Sequence, residues 1–492
     1  MLIFSWRVAF ARVFIQMSPS ALVGDMHGAA FFHFQGHGCL RAAVRFQGDC
    51  VLSETSSSPS SRGLAGLLGI PQALFFGFVG LLLFMVGDGV EAGYLDTYML
   101  HHGHTQGDVN LMFTTYGVTV MISAWLAGPL SDLYGPRRTM WAGLLLWAVL
   151  EVGFLSFGLG PDNLSMTLLF YTLRGFAYPL FAYGFLVWIA AATPARMLGS
   201  AAGWFWFSFS AGLPTLGSQF ARYTIPVIGE LATFWCSLGL VIAGGLIALL
   251  FVREPTGSRP LARGDVDRKA IFFGSISIMW REPKTLVAGI IRTVNTSSEY
   301  AFLAIMPAFF VDQLHFSQGQ WLDLLSIIFL GNILFNLVAG MLADRLGHRF
   351  VVAVGGCLGC CVTIPLFYYV PLWYPGNFTL AILAGFVYGG TVAAFVPMSG
   401  LMPLICPKEK AAALSILGLG AGASTWFGPA VVGVCESTFG MGMEGVIWTF
   451  VGLYFLSAIL TICLRISPEA RRHTQMMERR ASRDEEAQGC VA

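Results

Sequence analysis

The chain has 492 residues, of which 56% are hydrophobic and only 11% are charged, and its formal net charge is +1. Soluble chains carry roughly a quarter of charged residues, so this composition excludes an ordinary soluble protein and indicates one that crosses a membrane several times. No basic block interleaved with aromatic residues occurs, so nucleic acid is not a predicted partner.

Residues 1–66 differ from the rest of the chain because they are irregular and end in the polar run 53–61. The start is apolar and contains Arg7 and Arg12, which is typical of targeting presequences and of weak surface helices. It lacks a clean apolar core and a clear cleavage site. We therefore expect a disordered N-terminal cytoplasmic extension or an upstream-misassigned start, with a targeting segment as the alternative.

Long apolar runs then alternate with short polar breaks. A run of about 20 residues can cross a hydrocarbon core of roughly 30 Å as a helix, and lipid requires each run to satisfy its own backbone hydrogen bonds. The sequence predicts an all-α polytopic membrane protein with twelve transmembrane helices in two six-helix pseudo-symmetric halves. The predicted spans are 73–98, 110–130, 140–159, 165–192, 197–220, 231–252, 285–311, 319–342, 350–370, 377–402, 410–434 and 444–464.

Lys and Arg concentrate in the breaks after spans 2, 4, 6, 8, 10 and 12, and the other breaks carry almost none, Arg222 being the main exception. The positive-inside rule therefore places both termini and the loop after span 6 in the cytoplasm. The predicted parts after the extension are an N-terminal half (67–252), a cytoplasmic linker (253–284), a C-terminal half (285–464) and a cytoplasmic tail (465–492).

Two short stretches share the pattern G-x-L-small-D-x-x-G-x-R, and the second begins 212 residues after the first (340 − 128). We call residues 128–138 the first hairpin and residues 340–349 the second hairpin. Glycines allow close helix approach and a tight turn, and the aspartates are placed to engage the positive end of a helix or an arginine. The predicted gating residues are Gly128, Asp132, Gly135, Arg137, Arg138, Gly340, Asp344, Gly347 and Arg349.

The duplicated hairpin resembles the signature of the major facilitator superfamily. The segments 87–95, 173–188, 281–285 and 292–298 resemble its bacterial polyol permease branch, which includes ribitol, D-arabinitol and 2-oxoglutarate permeases. The resemblance covers about residues 68–465. It implies alternating access, with the hairpins latching the cytoplasmic side. Leu133 and Pro136 depart from commonly basic positions, so the first latch is expected to be weaker than is usual in the superfamily.

Ionisable groups inside spans are costly and therefore indicate function. Asp88 and Glu91 lie three residues apart on one face of span 1, and Tyr94 continues that face. Asp88 and Arg174 of span 4 are at similar depth, so we expect a buried Asp88–Arg174 ion pair beside the cavity. Glu151 on span 3 is expected to support the structure more than to line the cavity.

Span 7 carries Arg292, Asn295 and Glu299 at helical spacing on one face. Asn, Glu and tyrosine side chains, including Tyr178 on span 4, suit a polyhydroxyl ligand, whereas two arginines would suit a carboxylate. Glu91 and Glu299 are the expected proton carriers because neither has an evident fixed partner. Asn332 and Asn336 are expected mainly to join helices. Trp204, Phe205 and Trp206 are expected to face lipid or to pack, with one of the three facing the cavity as the alternative.

These residues predict a secondary transporter that moves a small polyol or sugar alcohol by proton symport with alternating access. The alternatives are an organic-acid proton symporter for a 2-oxoglutarate-like dicarboxylate and a membrane sensor that binds its ligand without translocation. No set of residues for an enzyme, a metal or a cofactor stands out, so the proton is the only expected coupling factor. The small-molecule substrate and the lipid bilayer are the expected partners, no protein partner is predicted, and the expected location is the plasma (inner) membrane.

Overall fold

The computed structural model describes residues 71–92, 94–262 and 268–476. The extension predicted over 1–66 and the tail from residue 477 onward lie outside the described residues. Within the described ranges all regular secondary structure is helical, which agrees with the expected all-α class.

The helices of the N-terminal half follow the predicted spans with small shifts at their ends, except that span 5 continues to Ile228 where the prediction ended at residue 220. Span 1 is split into two helices just after Glu91, and span 4 is split just after Arg174. The bounds for spans 1 to 6 are Phe75–Ala92 with Leu95–His101, Gln106–Tyr134, Pro136–Gly153, Leu164–Arg174 with Ala177–Ala192, Leu198–Ser210 with Gly217–Ile228, and Glu230–Phe251.

The second half repeats this order after an additional helix, Arg268–Arg281, that lies within the predicted linker. Span 10 is split like span 4, but its break lies in its second part and the break of span 4 lies in its first part. The bounds for spans 7 to 12 are Pro283–Ala308, Gln318–Leu346, His348–Phe350 with Gly359–Trp373, Phe378–Ala393 with Pro397–Ile405, Lys410–Ser437, and Met443–Thr461.

Ten helical segments among the described residues are long and apolar enough to cross a membrane. The other two of the twelve are spans 5 and 7. Span 7 is unusually polar, since Arg292, Asn295 and Glu299 share it with several Thr and Ser residues. Lipid tolerates such a span only where its polar face is buried in protein or lines a cavity.

Wide π-helical turns interrupt or extend four spans. In span 5 such a turn contains Pro214, whose missing N–H breaks the regular α-helical ladder. The corresponding stretches are Phe154–Leu159, Ala211–Leu216, Phe309–Gln313 and Val351–Leu358.

Both hairpins lie at one end of the bundle, which we call the hairpin end. Gly135 and Gly347 connect successive spans there with φ of 90° and 96°, a region that glycine adopts without strain. The expectation of a glycine-dependent tight turn is therefore confirmed in both halves.

The two halves pack closely at the hairpin end. Span 8 packs against span 5, and span 2 packs against span 11. A Cβ on Gly340 would lie 2.5 Å from the carbonyl oxygen of Gly199, and one on Gly128 would lie 2.5 Å from that of Ala411. Glycine at both positions therefore permits the helix contacts that close this end.

Candidate functional site

A cavity of about 300 Å³ lies between the two halves. Aromatic residues from spans 4 and 5 form one side, and the polar face of span 7 and residues of spans 8, 10 and 11 form the other. The polar and aromatic lining residues are Tyr178, Tyr183, Trp206, Phe209, Ser210, Arg292, Asn295, Thr296, Glu299, Tyr300, Phe329, Asn332, Asn336 and Thr425.

Arg292 is held at the cavity wall by two contacts. Its Nη1 donates a hydrogen bond to Oδ1 of Asn295, one helical turn further along span 7. Its Cζ lies 4.7 Å from the centre of the Trp206 ring, in cation–π geometry across the two halves. Among the described residues, no carboxylate forms an ion pair with Arg292.

Asn295 is itself fixed by the C-terminal half. Its Nδ2 donates to the carbonyl oxygen of Val392, at 3.1 Å, close to the break in span 10. Its own carbonyl accepts a hydrogen bond from the Tyr454 hydroxyl on span 12. The Asn295 side chain, fixed in this way, can orient the guanidinium of Arg292. The carbonyl that fixes Asn295 belongs to Val392, at the end of the first helix of span 10.

Glu299 lies two turns from Arg292 on the same face of span 7, roughly 10 Å along the helix axis. It lines the cavity, and no hydrogen bond or ion pair to its carboxylate occurs within the described ranges. The cavity therefore contains one guanidinium and one carboxylate that do not contact each other.

Hydrogen bonds also cross between the halves beside the cavity. Asn336 Nδ2 donates to the carbonyl oxygen of Trp206 at 3.3 Å and to Asn332 Oδ1 at 3.2 Å. Trp206 Nε1 donates to Ser399 Oγ at 3.0 Å. The inter-helix contact expected of Asn336 is confirmed. Trp206 is the residue of the aromatic run 204–206 that lines the cavity, which was the alternative left open by the sequence, and it contacts the C-terminal half through Ser399.

The charged residues of the N-terminal half form a second, separate cluster. Arg174 Nη1 contacts Glu91 Oε2 at 2.5 Å and also Oε2 of Glu151. All three side chains are buried. The prediction of an Asp88–Arg174 ion pair is wrong. Asp88 Oδ1 instead accepts a hydrogen bond from Trp147 Nε1 at 2.8 Å.

Aromatic rings enclose the guanidinium of Arg174. Its Cζ lies 4.8 Å from the Tyr171 ring, 4.9 Å from the Trp147 ring and 5.2 Å from the Phe154 ring. These rings and the two carboxylates surround the cation, so the cluster belongs to the interior of the N-terminal half and its residues are not among those that line the cavity.

Two sequence-based expectations about this cluster need correction. Glu91 does have a fixed partner, because it contacts Arg174 and also accepts a hydrogen bond from Ser237 Oγ at 3.3 Å. Tyr94 does not continue the cluster, since its hydroxyl donates to Glu230 Oε1 at 2.6 Å beyond the break in span 1. Glu151 supports the structure as expected, because it pairs with Arg174 in the interior and is not among the residues that line the cavity.

The C-terminal half has an uncharged network at the corresponding place. Ser298 Oγ lies 2.8 Å from the Tyr388 hydroxyl and 2.7 Å from the Tyr454 hydroxyl. Tyr388 on span 10 and Arg174 on span 4 occupy corresponding positions, counted from the first residue of their helices. At this position the N-terminal half therefore has a charged cluster, whereas the C-terminal half has a network of hydroxyl groups.

The two hairpins also differ. The Asp344 carboxylate accepts hydrogen bonds from the backbone N–H groups of Gly199 and Ser200, at 2.8 and 2.7 Å, and from the Ser200 hydroxyl at 2.5 Å. It therefore caps the N-terminus of span 5 in the other half. No hydrogen bond to the carboxylate of Asp132 occurs among the described residues.

The arginines of the hairpins have different environments. Arg137 donates to the carbonyl oxygens of Leu249, at 3.0 Å from Nε, and Val252, at 2.9 Å from Nη2. These carbonyls lie at the C-terminal end of span 6, where a cation is favourable. Arg138 is exposed and Arg349 is half-buried.

The chain resembles known membrane transporters over most of its length. The sequence model of the Major Facilitator Superfamily matches residues 77–320 and 288–485. The chain is 36% identical over 403 residues to the alpha-ketoglutarate permease of Bacillus subtilis (strain 168), covering 82% of this chain and 92% of that protein. It is 35% identical over 413 residues to the D-arabinitol transporter of Klebsiella pneumoniae, covering 84% and 97%, and 36% identical over 399 residues to the ribitol transporter of the same organism, covering 81% and 93%.

Solved structures share the architecture at low sequence identity. The human organic anion transporter gives a TM-score of 0.64 at 17% identity and covers 79% of this chain and 98% of its own. The fucose:proton symporter of Escherichia coli gives 0.64 at 12% identity, with coverage of 80% and 98%. At these identities the likeness shows the fold alone.

Proposed function

We propose that this chain, which belongs to the Major Facilitator Superfamily, moves a small polyol or sugar alcohol across the membrane together with a proton. Membership of the superfamily makes the chain a multi-pass membrane transporter with twelve spans. The substrate class and the coupling ion are the parts that we add from the site.

The cavity between the halves carries the proposal. Its wall combines amides, hydroxyls and aromatic rings, which are the groups that bind a chain of hydroxyls. Relatives named as D-arabinitol and ribitol transporters, each about 35% identical over more than 80% of the chain, support the same class.

Glu299 is the proposed proton carrier. It is the cavity-lining carboxylate and has no hydrogen bond or ion pair within the described residues, so a proton can bind to it without breaking a structural contact. Glu91, the other carrier expected from the sequence, is already bound to Arg174. We therefore propose that the coupled proton binds to Glu299 on span 7 and not to Glu91 on span 1.

Alternating access would follow from opening and closing the hairpin end. In this structure the Asp344 cap on span 5 holds that end together. The charge distribution of the loops supports a cytoplasmic position for the hairpin end and for both termini, with the bundle in the plasma membrane. The observed state is then the one in which the cytoplasmic side is closed.

One observation favours the second candidate, an organic-acid symporter. Arg292 faces the cavity without a carboxylate partner among the described residues, and a relative of 36% identity is named alpha-ketoglutarate permease. A dicarboxylate calls for a second cation, however, and Arg174 is already bound by two glutamates away from the cavity. The polyol proposal therefore has the stronger support.

Uptake into proteoliposomes tests the proposal. The full chain is reconstituted, and uptake of ribitol, D-arabinitol and 2-oxoglutarate is compared with and without an imposed pH gradient. Accumulation of the sugar alcohols that depends on the gradient is expected. Gradient-driven uptake of 2-oxoglutarate alone would favour the acid symporter, and ligand binding without flux would favour a sensor.

A further inference from the structure

Arg292 is a cation deep in the membrane-spanning region, and no carboxylate of the described residues is in contact with it. It lies nine residues after Pro283 in the helix Pro283–Ala308, which corresponds to roughly 14 Å of helix. By contrast, the buried cation of the N-terminal half is paired, because Arg174 contacts two glutamates. An unpaired charge in this position is costly, so its retention at a cavity wall points to an anion that arrives from outside the protein.

The contacts of Arg292 leave donors for such an anion. A guanidinium has five N–H donors in a planar fork, and the hydrogen bond to Asn295 uses Nη1. Trp206 covers one face of the guanidinium plane without accepting a hydrogen bond from it. A carboxylate can therefore approach in the plane of the fork and accept two hydrogen bonds.

The same cavity also presents groups that recognise hydroxyls. Asn332 and Asn336 lie on span 8, Thr296 follows Asn295 on span 7, and Thr425 lies on span 11. A ligand with a carboxylate at one end and hydroxyls along its length would use both sets of groups. Resting on the proposed polyol function, we infer that Arg292 is a carboxylate subsite and that this transporter binds polyhydroxy monocarboxylates, the sugar acids, more tightly than sugar alcohols of equal carbon number.

The charged residues of the cavity favour a ligand with one carboxylate over a ligand with two. Glu299 lies two helical turns from Arg292, so a second carboxylate extending along span 7 would approach a residue of like charge. Arg174 offers no second cation, because Glu91 and Glu151 occupy it. The volume of about 300 Å³ is at the small end of ligand sites, which favours a small ligand.

A matched pair of ligands tests this inference directly. Ribonate and ribitol have the same carbon number and differ at one end, where ribonate has a carboxylate in place of a hydroxymethyl group. Dissociation constants for both are measured by titration calorimetry on the full chain in lipid nanodiscs. We expect ribonate to bind about tenfold more tightly or better, as befits a hydrogen bond assisted by charge.

Variants then assign the preference to one side chain. Arg292→Gln should bring the ratio of the two constants close to one, and Arg292→Lys, which keeps the charge but loses the fork, should give an intermediate ratio. The matched control is Arg222→Gln at an exposed position outside the cavity, which should keep the wild-type ratio. If Arg292→Gln fails to fold, the ratio measured for Arg292→Lys decides whether Arg292 causes the preference for ribonate.

The outcomes separate this inference from the proposed function. Ribitol uptake by the folded protein together with weaker or absent ribonate binding overturns the inference and leaves the polyol function standing. A wild-type ratio in both Arg292 variants overturns it as well. Failure of the folded protein to bind or take up either compound overturns the proposed function, and the inference with it.

Discussion

The carboxylate of Asp344 accepts a hydrogen bond of 2.7 Å from the backbone N–H of Ser200, and this contact joins the two halves of the transporter. The carboxylate belongs to the end of span 8, and the N–H belongs to the first turn of span 5. Because the N-terminus of a helix carries a partial positive charge and unpaired N–H groups, a carboxylate at this position stabilises the closed hairpin end. The same contact must break when that end opens.

Asp344→Ala should shift the protein toward the state with an open hairpin end. Hydrogen bonds to a charged group contribute about 1.5–3 kcal/mol each, so the open population should rise on the order of tenfold or more. The distance between spin labels at Tyr134 and Leu346, the exposed last residues of spans 2 and 8, reports the change in a background without native cysteines.

Asp132→Ala is the matched control for that experiment. Asp132 occupies the same place in the first hairpin but has no hydrogen bond to its carboxylate among the described residues. Its substitution should change the distance distribution much less. Equal effects of the two substitutions would mean that the cap on span 5 does not hold the closed state.

Gly340→Ala should also oppose closure of the hairpin end. The added Cβ would lie 2.5 Å from the carbonyl oxygen of Gly199, and since that atom belongs to the backbone, spans 5 and 8 must separate. Gly117→Ala in the corresponding span 2 is the control, because nothing lies within 4 Å of its Cβ position. The same spin-label distance should lengthen for Gly340→Ala alone, and an unchanged distribution would contradict the close packing of spans 5 and 8.

Arg174→Met should destabilise the protein strongly. It leaves Glu91 and Glu151 buried without their cation, and removing one partner of a buried ion pair costs about 3–5 kcal/mol. Glu151→Gln should cost less, because Arg174 then still contacts Glu91. Thermal unfolding in the same lipid or detergent gives the order of stabilities, and a smaller loss for Arg174→Met than for Glu151→Gln would argue against the arrangement of charges in this cluster.

Glu299→Gln should uncouple transport from the proton. The amide resembles the carboxyl group in shape but cannot exchange a proton, so uptake driven by a pH gradient should be lost. Exchange of labelled for unlabelled substrate, which needs no net proton movement, should continue. Glu91→Gln is the comparison: normal gradient-driven uptake by Glu299→Gln with loss in Glu91→Gln would return the carrier role to span 1.

Much of the architecture could be predicted from the sequence because it depends on local physics. Apolar runs of sufficient length must be helical in lipid, so the spans were predictable within a few residues, apart from the end of span 5. The hairpin glycines were predictable too, since a tight turn between two spans requires their backbone freedom. The breaks in spans 4 and 10 were not predicted from the sequence. The hydrogen bond from Asn295 to the carbonyl of Val392 could not be predicted either.

Charged residues could be identified from the sequence, but their partners could not. The similar depth of the two residues in the membrane suggested Asp88 as the ion-pair partner of Arg174. A sequence gives this depth but does not give the direction in which each side chain points. Rotation of each helix about its axis decides which carboxylate faces the guanidinium, and the packing of spans 1, 3 and 4 turned Glu91 and Glu151 toward it and Asp88 toward Trp147.

By itself, the sequence determined that the chain is a bundle of membrane helices with a duplicated hairpin, because hydrophobic length and glycine turns act over a few residues. Only the tertiary structure decided that Arg174 lies inside one half and Arg292 at the cavity. That difference depends on contacts between helices far apart in the chain, such as the one between Trp206 and Arg292. An electrostatic site forms where several helices meet, and no single segment specifies its location.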